Sequence, residues 1–151
     1  GQDFAVRPGL VELTHRLKAV GKHITIETAG TLFVPDLACD LMSISPKLRN
    51  ATSPAIHQIG HCDPEILARL IAAYPYQLKF VIDSPEDIAE VREVLGRLGS
   101  VDPSRVLLMP QARTRDELLA KSPMVADLCQ KTGFRFCDRL HIFLWSDERG
   151  R

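Results

Sequence analysis

A chain of 151 residues, 45% hydrophobic and 25% charged, fits a single α/β-sized domain (residues 1–151) around one core. Its 19 basic and 19 acidic residues cancel, which argues against nonspecific nucleic-acid binding. No apolar run approaches the roughly 20 residues of a bilayer span, and no charged-then-apolar leader opens the sequence, so neither a membrane nor a secretory route is expected.

The first expected element is a helix, because Leu10, Val11, Leu13, Leu17 and Val20 recur at helical spacing behind Pro8 and Gly21 ends the segment. Strand-like runs follow at Ile24–Glu27 and Leu41–Ser45. Asp63-Pro64 is a helix-start signal ahead of the stripe Ile66, Leu67, Leu70 and Ile71. Gln77–Ile82 reads as a buried-type strand. Ser84-Pro85-Glu86-Asp87 caps a helix with the stripe Ile88, Val91, Val94, Leu95 and Leu98, which Gly99 stops. Val106–Met109 is a further strand. Thr114 with Glu117 makes a capping box for a helical stretch that Ser122-Pro123 is placed to break and restart, and Gly133 closes it. The apolar run Leu140–Trp145 is expected as the last strand.

The resulting order, α-β-β-α-β-α-β-α-β, predicts an α/β fold with a parallel sheet and right-handed crossovers. Only about ten residues, Thr31 to Asp40, join the first two strands, too few for an ordinary crossover helix. A trimmed connection with one irregular turn around Pro35-Asp36 suffices.

In parallel α/β proteins ligands bind at the C-terminal strand ends, and here those ends are polar. They are Glu27-Thr28-Ala29-Gly30, Ser45-Pro46-Lys47, Asp83, Pro110-Gln111 and Ser146-Asp147. Polar turns after strands are ordinary, which leaves Asp83 and Ser146 evenly balanced between loop and site. The first two ends say more. Gly30 lets backbone approach a ligand, and Glu27 can accept from ribose hydroxyls. Ser43 and Ser45 point to the face opposite Ile44 and, with Lys47, make a row of donors for a carboxylate or ribose; a solvated strand face is the plainer alternative. Lys79 inside an apolar strand points either into a polar barrel interior or lies on an edge strand as a gatekeeper, with a Schiff-base role the least supported. His141 is balanced between a core histidine and a pocket residue. Cys39, Cys62, Cys129 and Cys137 fall at irregular spacings, and neither the His61-Cys62 pair nor the later cysteines match a metal-ligand spacing, so free reduced thiols in a cytoplasmic protein are the simplest reading.

Taken in order, the strings ITIETAGT, DLMSISPKLRN, YQLKFVI, VLLMPQ, GFRFCDRLHIFLW and ERGR resemble the 7-carboxy-7-deazaguanine synthases. These are radical S-adenosylmethionine enzymes of queuosine and deazapurine biosynthesis. The resemblance runs nearly end to end and implies a partial, trimmed TIM-like barrel holding a 4Fe-4S cluster and S-adenosylmethionine at its C-terminal strand edges. It also implies the ring contraction of 6-carboxy-5,6,7,8-tetrahydropterin to 7-carboxy-7-deazaguanine with loss of ammonia, assisted by Mg2+. A homodimer and an external electron donor such as flavodoxin are implied as partners. By position, Glu27, Thr28, Ala29 and Gly30 resemble one segment that contacts S-adenosylmethionine, and Ser43, Ser45 and Lys47 resemble the next. Gln111 and His141 resemble walls of the pterin pocket, and Lys79 and Gln77 line or support the same cavity.

Two family features are missing from this sequence: the C-x-x-x-C-x-x-C-type cluster loop and the Gly-Gly-Glu-Pro segment, both upstream of ITIET in the family. The expectation is therefore an N-terminally incomplete chain that carries no cluster ligand or catalytic residue, is inactive alone, and exposes a sheet edge that makes it marginal or self-associating. Two other readings stand beside this one. The first is another radical S-adenosylmethionine activating enzyme, and the second a non-catalytic nucleotide-binding α/β module.

Overall fold

A computed structural model describes residues 9–50, 63–146 and 148. Helix α1 (Leu10–Ala19) begins after Gly9, whose φ of 96° suits glycine, and lays Leu10 and Val11 on the core. Its remaining apolar residues, Leu13, Leu17 and Val20, face outward instead. Strands β1 (Thr25–Thr28) and β2 (Leu41–Ile44) follow. Helix α2 (Pro64–Ala73) starts at Asp63, whose carboxylate accepts from the Glu65 N–H at 2.9 Å, with Pro64 in the first turn where its missing N–H costs nothing. Strand β3 (Tyr76–Ile82), helix α3 (Asp87–Leu98), a single 3-10 turn (Pro103–Arg105), strand β4 (Val106–Pro110) and helix α4 (Arg115–Thr132) come next. The last described elements are strand β5 (Arg135–Phe136) and helix α5 (Leu140–Trp145).

Among the described residues the strands form one five-stranded, all-parallel sheet in the order β1-β2-β3-β4-β5, with β1 and β5 at its edges. The expected α/β class stands, as an incomplete barrel rather than a closed one. Alternate residues divide the sheet into two faces. Met42, Ile44, Leu78, Phe80, Ile82, Val106 and Leu108 are buried in one cluster with Leu67 and Leu70 of α2, Val91 of α3 and Val125 of α4. The register puts Glu27 beside Ser43 and Ser43 beside Gln77 on the opposite face, with Lys79 two residues further along β3.

The short link from β1 to β2 contains no helix. It turns at Pro35-Asp36, where Asp36 adopts a φ of 61° that aspartate tolerates better than most residues. Neighbouring elements hold it in place. The Tyr74 hydroxyl donates to the Val34 carbonyl at 2.6 Å, and the Thr14 hydroxyl accepts from the Ala38 N–H at 3.1 Å.

Three expectations need correction. Leu140–Trp145 is a helix, and the last strand lies earlier, at Arg135–Phe136. A short run that is apolar but for His141 carries no clear period to separate strand from helix, and here only Ile142 is fully buried while Leu140, Leu144 and Trp145 stay exposed. Gly133, at φ 75°, ends α4 so abruptly that the next residues already pair with β4, and the Cys137 N–H continues that pairing to the Leu108 carbonyl at 2.9 Å. Second, Pro123 does not break α4. It sits on the exposed side of the helix, so the Leu119 carbonyl it leaves without a partner can turn to water, and the Ser122 hydroxyl donates to the Leu118 carbonyl at 2.6 Å. Third, of the two placements open for Lys79 the edge strand falls away, because β3 is the central strand among the described residues and Lys79 lines the cleft on its polar face. Among the described residues no helix is long and apolar enough to cross a membrane.

Candidate functional site

The polar face of the sheet opens, at the C-terminal ends of its strands, into a cleft of about 530 Å³, within the range of small-molecule sites. Each strand contributes through its alternation. β1 supplies Glu27 and Thr28, and the turn beyond it supplies Ala29. That turn is closed by the Gly30 N–H, which donates to Thr28 Oγ1 at 3.0 Å, with Gly30 at a φ of 79° that a side chain would strain. β2 supplies Ser43 and, just past its end, Ser45 and Lys47. The Ser45 N–H still donates to the Thr28 carbonyl at 2.8 Å, which keeps Ser45 on the same face as Ser43. β3 brings Lys79 and Val81, β4 Met109, and the segment after β5 Cys137, Asp138 and Arg139.

Two polar contacts organise the floor. The Gln77 amide donates to Ser43 Oγ at 3.0 Å, satisfying a hydroxyl that is 1% exposed. The Lys79 ammonium donates to Glu27 Oε1 at 2.7 Å. That hydrogen bond, and then the lysine charge, hold the Glu27 carboxyl below its usual range despite partial burial. Burial pushes the Cys137 thiol up, with the nearby Lys79 charge opposing it, so Cys137 is a neutral thiol in the wall and not an activated nucleophile.

Of the residues singled out from sequence, Glu27, Thr28, Ala29, Ser43, Ser45, Lys47, Lys79 and His141 line this one cleft. Gly30 is buried behind the first turn, and Gln77 supports the floor through Ser43. Gln111 lies apart, in an adjoining cavity of about 290 Å³ that shares Arg139 and His141 with the main cleft. Its amide oxygen accepts from Lys121 at 3.3 Å. His141 is exposed on α5 rather than set in a strand. Cys137, Asp138 and Arg139 are site residues that sequence reasoning missed. Placing the last strand at Arg135–Phe136 would have put all three at a strand end. Arg139 is anchored by its Nη1, which donates to the Ala112 carbonyl at 2.8 Å, while its buried Nε has no hydrogen-bond partner among the described residues.

The donor set is of a kind that fits S-adenosylmethionine: a carboxylate such as Glu27 can accept from ribose hydroxyls, and a hydroxyl and a cation such as Ser45 and Lys47 can serve a carboxylate. It does not fit a metal. Among the described residues no three His, Cys, Asp or Glu side chains converge to hold an ion. Cys39, Cys129 and Cys137 are free, and His61, Cys62 and Asp147 lie outside the described residues.

No protein-family model matches the chain, and no solved structure matches it. Curated relatives do. A 7-carboxy-7-deazaguanine synthase of Rhodopirellula baltica is 35% identical over 159 residues, covering 99% of this chain and 61% of that protein. One of Halobacterium salinarum is 36% identical over 154 residues, covering 91% of this chain and 60% of its own length. One of Pyrobaculum aerophilum is 32% identical over 150 residues, with 96% and 62% covered. The resemblance carried by the motifs is thus present along nearly the whole chain, and the chain spans about three-fifths of the length of these relatives.

Proposed function

We propose that this chain is the cofactor- and substrate-binding part of a 7-carboxy-7-deazaguanine synthase, acting on 6-carboxy-5,6,7,8-tetrahydropterin in deazapurine biosynthesis. One observation carries the reading: the chain that matches three proteins of that name along nearly its whole length gathers the polar ends of β1 and β2, with Lys79, in one cleft. S-adenosylmethionine, when bound, supplies the adenosyl group from which the family's radical chemistry starts. The residues of this chain bind and orient. Glu27 accepts from the ribose, Ser45 and Lys47 hold the polar end of the cofactor, and the Thr28-Ala29-Gly30 turn brings backbone close to it. Substrate sits toward the β4–β5 side, where Arg139 offers a guanidinium to the pterin carboxylate and His141 forms the outer wall. A cytoplasmic setting, a homodimer and an external electron donor such as flavodoxin belong to the same reading. Among the described residues no three His, Cys, Asp or Glu side chains converge on one point, and no step is assigned to a cluster or to magnesium.

The test is a titration of the chain with S-adenosylmethionine and, separately, with the pterin. Both should bind. Glu27→Gln should weaken the cofactor about tenfold or more, the usual loss for a hydrogen bond to a charged group, and leave the pterin largely unaffected. Absence of binding to either ligand overturns the proposal. Cofactor binding without pterin binding would instead favour a nucleotide-binding module.

A further inference from the structure

Nothing in β1 fixes the direction of the Glu27 carboxylate, since β1 is an edge strand and this side chain is 73% exposed. The group that reaches it comes from two strands away. Lys79 stands on the central strand with its side chain only 16% exposed, and its ammonium crosses over β2 to Glu27 Oε1. Beneath the crossing, the Ser43–Gln77 hydrogen bond makes a firm floor. Among the described residues Glu27 is the only partner of the Lys79 ammonium, and Glu27 Oε2 carries no protein hydrogen bond.

We propose that Lys79 is a positioning residue: by holding Glu27 Oε1 it orients the carboxylate so that Oε2 accepts from a ribose hydroxyl in the cleft. The inference rests on the nucleoside-cofactor reading of this cleft. A free surface glutamate samples several rotamers and must lose that freedom when a hydroxyl docks, whereas a glutamate already held loses little. The neighbouring ammonium also lowers the carboxyl below its usual range, favouring the ionised form that accepts at both oxygens. A merely structural Lys79 would fill the polar face without favouring one nucleoside over another.

Adenosine and 2′,3′-dideoxyadenosine separate the two roles, with affinities measured by ligand-observed NMR on the chain. The wild type should prefer adenosine about tenfold. Lys79→Met should bring the two nucleosides close to parity, as Glu27→Gln should. The double variant should be no worse than either single one, and Lys79→Arg should restore most of the preference. Thermal melts of each variant establish that it is folded. If Lys79→Met weakens both nucleosides equally and keeps the preference, Lys79 is structural and the proposal fails while the cofactor reading survives. If the wild type binds neither nucleoside, the cofactor reading fails and the positioning role falls with it.

Discussion

Along β3, Leu78, Phe80 and Ile82 are completely buried under the helices, whereas Gln77, Lys79 and Val81 alternate with them on the other face and remain partly exposed. These six residues thus serve two different ends. On the helix side, apolar area is removed from water and side chains interdigitate, which is where the stability of the fold resides. On the other side the sheet carries a glutamate, two serines, a glutamine and a lysine, which add little to folding and leave hydrogen-bonding capacity facing the cleft. The comparison teaches that the site lies where the strand period exposes polar residues to a cleft and the packing does not need them.

Substitutions one residue apart should therefore have very different effects. Phe80→Ala, which hollows the apolar face, should cost about 3–5 kcal/mol in denaturant unfolding. Were it nearly neutral, the division between the faces would be wrong. Ser43→Ala, on the opposite face, leaves the Gln77 amide without its acceptor and should cost about 1 kcal/mol in the same measurement. Lys79→Met should change stability by less than about 1 kcal/mol, because Glu27 is left in solvent and not in the interior.

The smallest effect is one of pH. The folded state lowers the Glu27 carboxyl below its unfolded value, so the contribution of the ion pair is fully present above the unfolded value and is lost as pH falls through the folded one. Melting temperatures of the wild type and of Glu27→Gln should differ slightly near neutrality and converge in acid. A difference that grew on acidification would contradict the assignment.

How much of this was legible in the sequence follows from periodicity. Ser43, Ser45 and Lys79 could be placed on a polar face because each alternates with apolar neighbours along its strand. The caps of α2 and α4 were legible from Asp63-Pro64 and from Thr114 with Glu117, since those residues satisfy the first free N–H groups of a helix. The C-terminal segment was not. The run Leu140–Trp145, apolar but for His141, holds no clear period, and misplacing the last strand there hid Asp138 and Arg139 from the cleft. Gln111 follows β4 in sequence yet falls outside the main cleft, held by Lys121 of α4, a contact that no local pattern signals. Pro123 misled because the penalty of a proline inside a helix can be outweighed by the packing of the rest of the helix, here through Leu118, Val125 and Cys129.

The most direct test of the central claim, that the polar strand ends form the ligand face, is amide hydrogen exchange on the chain with and without saturating S-adenosylmethionine. The account predicts added protection concentrated at residues 27–30 and 43–47, with the amides of α2 and α3 on the far side of the sheet unchanged. Protection centred on those helices, or none in the cleft despite measured binding, would contradict it.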